Sequence, residues 1–200
     1  MTTPTLPRAR ELVRMAGFAP GVHSEVLVDE RAEYDTEHLI EDARLTELRH
    51  APVADELHKW MWWWGSADGL SPEQATPDLV EDLVAPVDRF SRHDEETERP
   101  EHTDRLVVIS TSEDGPRSWV ETGRALSRLW LEATRLGLGV IPATQVIEVH
   151  ETRLHLRDVV LHSRLHPQAV VRVGWQEITG PPPPRQRRDV DQTLRSTDPA

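Results

Sequence analysis

The stretch from 106 to 139 constrains the fold more than any other part of the sequence. LVVIST (106 to 111) is a β-branched apolar run that reads as a strand. EDGP is a turn, and a helical pattern then runs from Ser118 until Gly137-Leu138-Gly139 stops it. Ser118 and Glu121 have the spacing of a capping box, which predicts the helix start there. Val120, Leu126, Leu129, Trp130, Ala133 and Leu136 recur at helical spacing, and Gly123 and Ser127 add a small-residue track for close packing. This helix is expected to be central and buried, closed by a glycine that takes the left-handed conformation without steric cost.

Other elements can be arranged around this unit. Residues 8 to 19 suit a short amphipathic helix ended by Pro20-Gly21, EVLVD (25 to 29) a short strand, and residues 35 to 49 a second helix. Pro52 can open a further helix through Leu57 to Trp64, with Gly65 and Asp68-Gly69 as breakers. Glu151 to Leu161 reads as helix and residues 169 to 175 as a buried strand. Between them, residues 91 to 104 carry no apolar side chain and are expected to form a solvated acidic loop. Four prolines at 181 to 184 then forbid helix or sheet interior, so residues 181 to 200 are expected to form an arm after a single domain at 1 to 180.

Composition removes several kinds of chemistry. With no cysteine there is no disulfide framework, thiol nucleophile or thiolate metal site, so redox work would need a borrowed cofactor. The formal charge of −12, from 35 acidic against 23 basic residues, works against nucleic-acid binding. No apolar stretch is long enough to span a bilayer and MTTPTLPRAR has no secretory h-region, which predicts a cytoplasmic protein. Lys59 is the one lysine, giving little support to Schiff-base chemistry. His150 and His155 are five apart rather than the four a zinc-binding helix needs. His162 and His166 do have that spacing, but Pro167 follows and no third ligand is evident. Ser110, Ser112 and Ser118 lack the G-x-S-x-G setting of a hydrolase elbow. The run Lys59-Trp60-Met61-Trp62-Trp63-Trp64 exposes a large apolar area unless it is packed, stacked or held at an interface.

Read in order, Thr111, Asp114, Trp119, Gly123, Ala125-Leu126, Leu131, Ala133-Thr134, Gly137-Leu138, Gln145, Glu148, Arg153, Pro167-Gln168, Arg172 and Gly174 form a pattern that resembles the Acg-type branch of the flavin-dependent nitroreductases. Glu56-Leu57, Trp60 and Asp68-Gly69 extend it upstream. Acg-type chains usually hold two nitroreductase-like halves, and this sequence resembles the second. It departs from the wider family in having no arginine-rich motif within MTTPTLP and no asparagine near Ala19-Pro20-Gly21-Val22-His23-Ser24.

The resemblance implies an α+β fold with a central, mostly antiparallel sheet flanked by helices, assembled as a homodimer or as a pair with a second nitroreductase-like chain. It also implies FMN as cofactor, NAD(P)H as hydride donor and a small organic substrate. By the same resemblance Pro142, Ala143, Thr144 and Gln145 would lie along the isoalloxazine edge, offering backbone N–H groups toward N5 and O4, although an ordinary exit from the helix fits those residues too. Arg185, Arg187 and Arg188 would hold the FMN phosphate, since a guanidinium fork suits that group, while a solvated basic tail is the alternative. A flavin-sequestering protein or a scaffold subunit remains the alternative to an enzyme.

Overall fold

The structure is a computed structural model, and it describes residues 5–53, 55–56 and 105–175. The chain divides into two compact units, one of residues 1–46 with 95–177 and the other of residues 47–94 with 178–200.

Helix α1 (Thr5–Ala16) leads through Gly17 and Gly21, both at positive φ, into strand β1 (Val22–Val26). Helix α2 is Glu30–Arg49 and strand β2 is Arg105–Thr111. Helix α3 (Pro116–Arg135) is followed by strand β3 (Leu138–Pro142), the short helices α4 (Gln145–Glu148) and α5 (His150–His155), a π turn at Leu156–Val160, and strand β4 (His166–Trp175). The four strands form one sheet in the order β1-β2-β4-β3, and every pairing is antiparallel. This is the α+β architecture expected from the sequence.

Strand β2 is buried from Leu106 to Thr111, because both faces of the sheet are covered. On one side Val107, Ile109, Ala169, Val171 and Val173 pack with Leu12 and Ala16 of α1 and Ala125, Leu129 and Ala133 of α3. On the other, Leu106, Val108 and Val170 pack with Leu39 of α2, Ala143, Val146 and Leu156. Burying roughly 1.5–3 kcal/mol per large aliphatic side chain explains why an unbroken apolar run, rather than an alternating one, occupies this strand.

Several expectations need correction. The first strand lies at Val22–Val26 rather than 25 to 29, because VHSEV alternates as a half-buried edge strand does and pairs Val22 with Thr111 through Val26 with Val107. Asp29 instead serves α2, its carboxylate accepting the Ala32 N–H at 2.9 Å, so that helix starts earlier than expected. Helix α3 starts at Pro116 with Gly115 as its N-cap, so Ser118 and Glu121 form no capping box: proline at the first helical position needs no N–H partner. Only one face of α3 is buried, through Thr122, Ala125, Leu129 and Ala133, whereas Trp119, Val120, Trp130 and Leu131 are exposed and a Cβ on Gly123 would meet nothing within 4 Å.

The glycines after α3 end it as predicted, with Gly137 at φ +73°, but Leu138 to Pro142 then form a strand the sequence reading missed. Helix 151 to 161 is broken into α5 and the π turn, whose closing bond runs from the Leu161 N–H to the Leu156 carbonyl at 2.9 Å. Of the helix expected from Pro52 to Trp64, residues 52, 53, 55 and 56 are helical and the rest lies outside the described residues. The acidic loop, the tryptophan run and the proline arm lie outside them as well.

Candidate functional site

Six of the residues that carry the family resemblance, dispersed over 58 positions of sequence, meet at the corner where β2 turns into α3. Thr111 ends β2, Asp114 lies in the turn, Trp119 is in the first turns of α3, Arg153 is on α5, and Pro167 and Gln168 open β4. The Trp119 Nε1–H donates to Asp114 Oδ1 at 2.7 Å, Gln168 Nε2 donates to the same oxygen at 3.1 Å, and Arg153 Nη1 lies 3.0 Å from Oδ2. Gln168 Nε2 also donates to Thr111 Oγ1 at 2.9 Å, and that hydroxyl donates to the Glu113 carbonyl at 2.7 Å. Arg153 closes the ring by donating from Nε to the Pro167 carbonyl at 2.9 Å.

Asp114 is the centre of this network. The Trp119 hydrogen bond, joined by those from Gln168 and Arg153 and by the arginine's charge, outweighs partial burial and lowers its pKa from 3.8 to about 2. The carboxylate is therefore ionised throughout the neutral range. Arg153 Nη2 is buried with no hydrogen-bond partner, so the Asp114 carboxylate is the charge that compensates this guanidinium. The network fixes the turn at residues 112 to 115 and with it the first residues of α3.

On the other side of that turn is a cavity of about 330 Å³, open to solvent. Ala19, Pro20, Gly21 and Val22 from the α1–β1 connection form its apolar side. Thr111, Ser112, Glu113, Arg117, Ser118 and Glu121 form its polar side. Gly21 adopts φ +83°, which a side chain would resist, and this lets the connection turn sharply enough for its carbonyl to accept the Ser112 N–H at 3.0 Å. His23 Nε2 lies 3.5 Å from Ser112 Oγ. The sequence reading did not single out Glu113 or Arg117, since nothing in the sequence brings residues 19–22 to residues 111–121.

A second feature is the end of β3. Pro142 is its last residue and has no N–H, and the Ala143 N–H is bonded to the Val170 carbonyl at 2.9 Å. Thr144 occupies the N-cap position of α4 without a side-chain cap bond, its hydroxyl donating instead to Glu148 Oε1 at 3.0 Å, and Gln145 is that helix's first residue. No backbone carbonyl among the described residues receives the Thr144 N–H, and the Gln145 N–H is one that a first helical position leaves outside the helix ladder. Two of the four residues expected along a flavin edge therefore have backbone donors to offer. Pro142 pairs with Val171, three residues along β4 from Gln168 of the Asp114 network. Arg185, Arg187 and Arg188 lie outside the described residues.

On the far face of the sheet, both carboxylate oxygens of Glu37 on α2 accept hydrogen bonds from Arg172 of β4. Arg105 Nη1 lies 3.6 Å from Glu33 one helical turn away. No group of three or more histidines, aspartates or glutamates among the described residues could hold a metal ion. No helix among them is long and apolar enough to cross a membrane.

No model of a known protein family matches the chain. It is 28% identical over 176 residues to the Mycobacterium tuberculosis protein named "Putative NAD(P)H nitroreductase acg", covering 84% of this chain and 53% of that one. A second protein of that organism, named "Putative NAD(P)H nitroreductase Rv3131", is 33% identical over 90 residues, 44% of this chain and 26% of its own length. The chain is a relative of the Acg-type nitroreductases and spans about half of Acg, and less of Rv3131. The crystal structure of the FMN- and NADPH-dependent nitroreductase NfnB from Sphigopyxis sp. strain HMH aligns over 95% of this chain and 87% of its own. Its identity to this chain is 13% and the TM-score is 0.49.

Proposed function

We propose that the protein is an FMN-dependent oxidoreductase of the nitroreductase type, taking hydride from NAD(P)H and passing it to a small organic acceptor. The observation that carries this reading is the joining of Thr111, Asp114, Trp119, Arg153, Pro167 and Gln168 in one hydrogen-bonded network. All six belong to the longer sequence pattern that resembles the Acg-type nitroreductases, and the fold brings them into contact. Similarity to proteins named as NAD(P)H nitroreductases supports the reading over most of the chain.

The residues at the end of β3 fit a flavin edge in one respect: the Thr144 and Gln145 N–H groups are unclaimed by backbone carbonyls among the described residues and can donate to ring heteroatoms. FMN would supply the hydride-accepting and hydride-donating centre. The protein's part would be to hold and orient the ring through those donors, with Arg185, Arg187 and Arg188 on the phosphate.

Assembly as a dimer, or as a pair with a second nitroreductase-like chain, is part of the same proposal. Trp119, Val120, Trp130 and Leu131 lie at 56, 64, 41 and 70% exposure on one helix, more apolar surface than an unpartnered helix usually presents. The open space over Gly123 would admit a helix at close range.

The visible spectrum of the purified protein, followed anaerobically on addition of NADPH or NADH, tests the proposal. A flavin spectrum that bleaches supports the oxidoreductase. A flavin spectrum inert to both donors points to sequestration, and a colourless protein that takes up no added FMN rejects the flavin reading. Replacing Arg185, Arg187 and Arg188 by glutamine should weaken FMN at least tenfold, by loss of charge-assisted bonds worth roughly 1.5–3 kcal/mol each, and leave riboflavin binding unchanged.

A further inference from the structure

We propose that the cavity between the α1–β1 connection and the β2–α3 turn binds a small zwitterion, a free α-amino acid with an apolar side chain. Arg117 would receive the carboxylate and Glu113 the ammonium group.

The charges on the polar side carry the argument. Arg117 and Glu113 line the same cavity from opposite sides of the turn, yet they form no ion pair with each other or with any other described residue. Neighbouring acids that could have neutralised Arg117 are engaged elsewhere. Glu121 is paired with Arg124 at 3.1 Å, and Asp114 is turned away into the network with Trp119, Gln168 and Arg153. One unpaired cation and one unpaired anion lining the same cavity complement a ligand that carries both signs. A simple anion would meet Glu113, and a simple cation would meet Arg117.

The remaining lining sets the rest of the ligand. Ser112 and Ser118 offer hydroxyls that can donate to a carboxylate, and a guanidinium fork matches that group in plane and spacing. Ala19, Pro20 and Val22 give an apolar wall without polar side-chain atoms, suited to an aliphatic side chain. At about 330 Å³ the space is at the small end for organic ligands, which favours a single amino acid over a peptide or nucleotide. The Asp114 network holds Thr111 and the turn that carries Ser112 and Glu113, so this wall is positioned before any ligand arrives.

Isothermal titration of the full chain with L-leucine tests the proposal. The two comparison probes are 4-methylpentanoate, which is leucine without its amine, and 3-methylbutylamine, which is leucine without its carboxylate. The expected result is leucine binding with a Kd tighter than about 10 mM, with each half-charged analogue at least tenfold weaker. R117Q and E113Q should each weaken leucine at least tenfold while retaining the wild-type melting temperature. Because both side chains are exposed, that temperature separates a lost site from a lost fold. Equal binding of either analogue, binding unaffected by both substitutions, or no binding of leucine to the folded wild type would overturn the proposal. None of these readouts involves a flavin, so the outcome is independent of the oxidoreductase reading.

Discussion

Replacing Asp114 by alanine should destabilise the protein by about 2 kcal/mol at pH 7, and the loss should shrink at acid pH. A pKa held at about 2 against an ordinary 3.8 corresponds, at 1.36 kcal/mol per unit, to at most about 2.5 kcal/mol of preferential stabilisation of the folded state. The side chain is 30% exposed, and solvent screening reduces this electrostatic part to about 1 kcal/mol. The truncation also leaves the Arg153 guanidinium, already with one buried nitrogen unpartnered, without its anion, which adds about 1 kcal/mol more. Trp119 and Gln168 lose less, because the exposed indole can turn to water and Gln168 keeps Thr111.

The sign follows from the depressed pKa. The folded state binds the Asp114 proton less readily than the unfolded chain, so the electrostatic part is complete above about pH 4 and is lost as pH falls toward 2. Urea denaturation of wild type and D114A at pH 7, 5, 4 and 3 reads this directly. The difference in unfolding free energy should be constant between pH 7 and 5 and decline below 4. A difference under about 0.5 kcal/mol at pH 7, or one that does not decline in acid, would refute the view that Asp114 holds the corner together as a carboxylate.

Gly137→Ala should cost about 1 kcal/mol through its φ of +73° and not through crowding, since the added Cβ would sit 4.0 Å from Trp175; thermal melting checks it. Leu131→Arg, on the exposed face of α3, should raise the dissociation constant of the proposed dimer at least tenfold in sedimentation experiments and leave the melting temperature of the dissociated chain unchanged. Glu37→Gln should cost about 1–2 kcal/mol in urea denaturation by removing the Glu37 carboxylate from the part-buried Arg172, and the double change E37Q/R172M should cost less than the sum of the two single changes.

Local chemistry in the sequence determined much of this protein. The run LVVIST could only be a strand, because β-branched residues in an unbroken apolar stretch need cover on both faces, and the structure supplies that cover. Gly137 had to end α3, since a glycine allows the left-handed turn. Thr111, Asp114, Trp119, Arg153, Pro167 and Gln168 belong to the longer ordered pattern that carried the resemblance to the Acg-type nitroreductases. Their hydrogen bonds to one another were not legible, because nothing in the spacing states that a glutamine on β4 and an arginine on α5 reach the same carboxylate.

Tertiary structure decided what depends on distant partners. Leu138–Pro142 is a strand because β4 lies beside it, although its sequence also suits a helix exit. The first strand begins at Val22 because β2 fixes its register, so apolar content alone pointed three residues too far along the chain. Helix α3 buries one face only, since α1 and the sheet lie on one side of it, whereas composition made the whole helix look interior. The cavity, too, exists only because a sharp turn at Gly21 brings residues 19–22 against residues 111–121. Sequence patterns report a residue's own preferences; which two preferences face each other across 90 positions is set by packing.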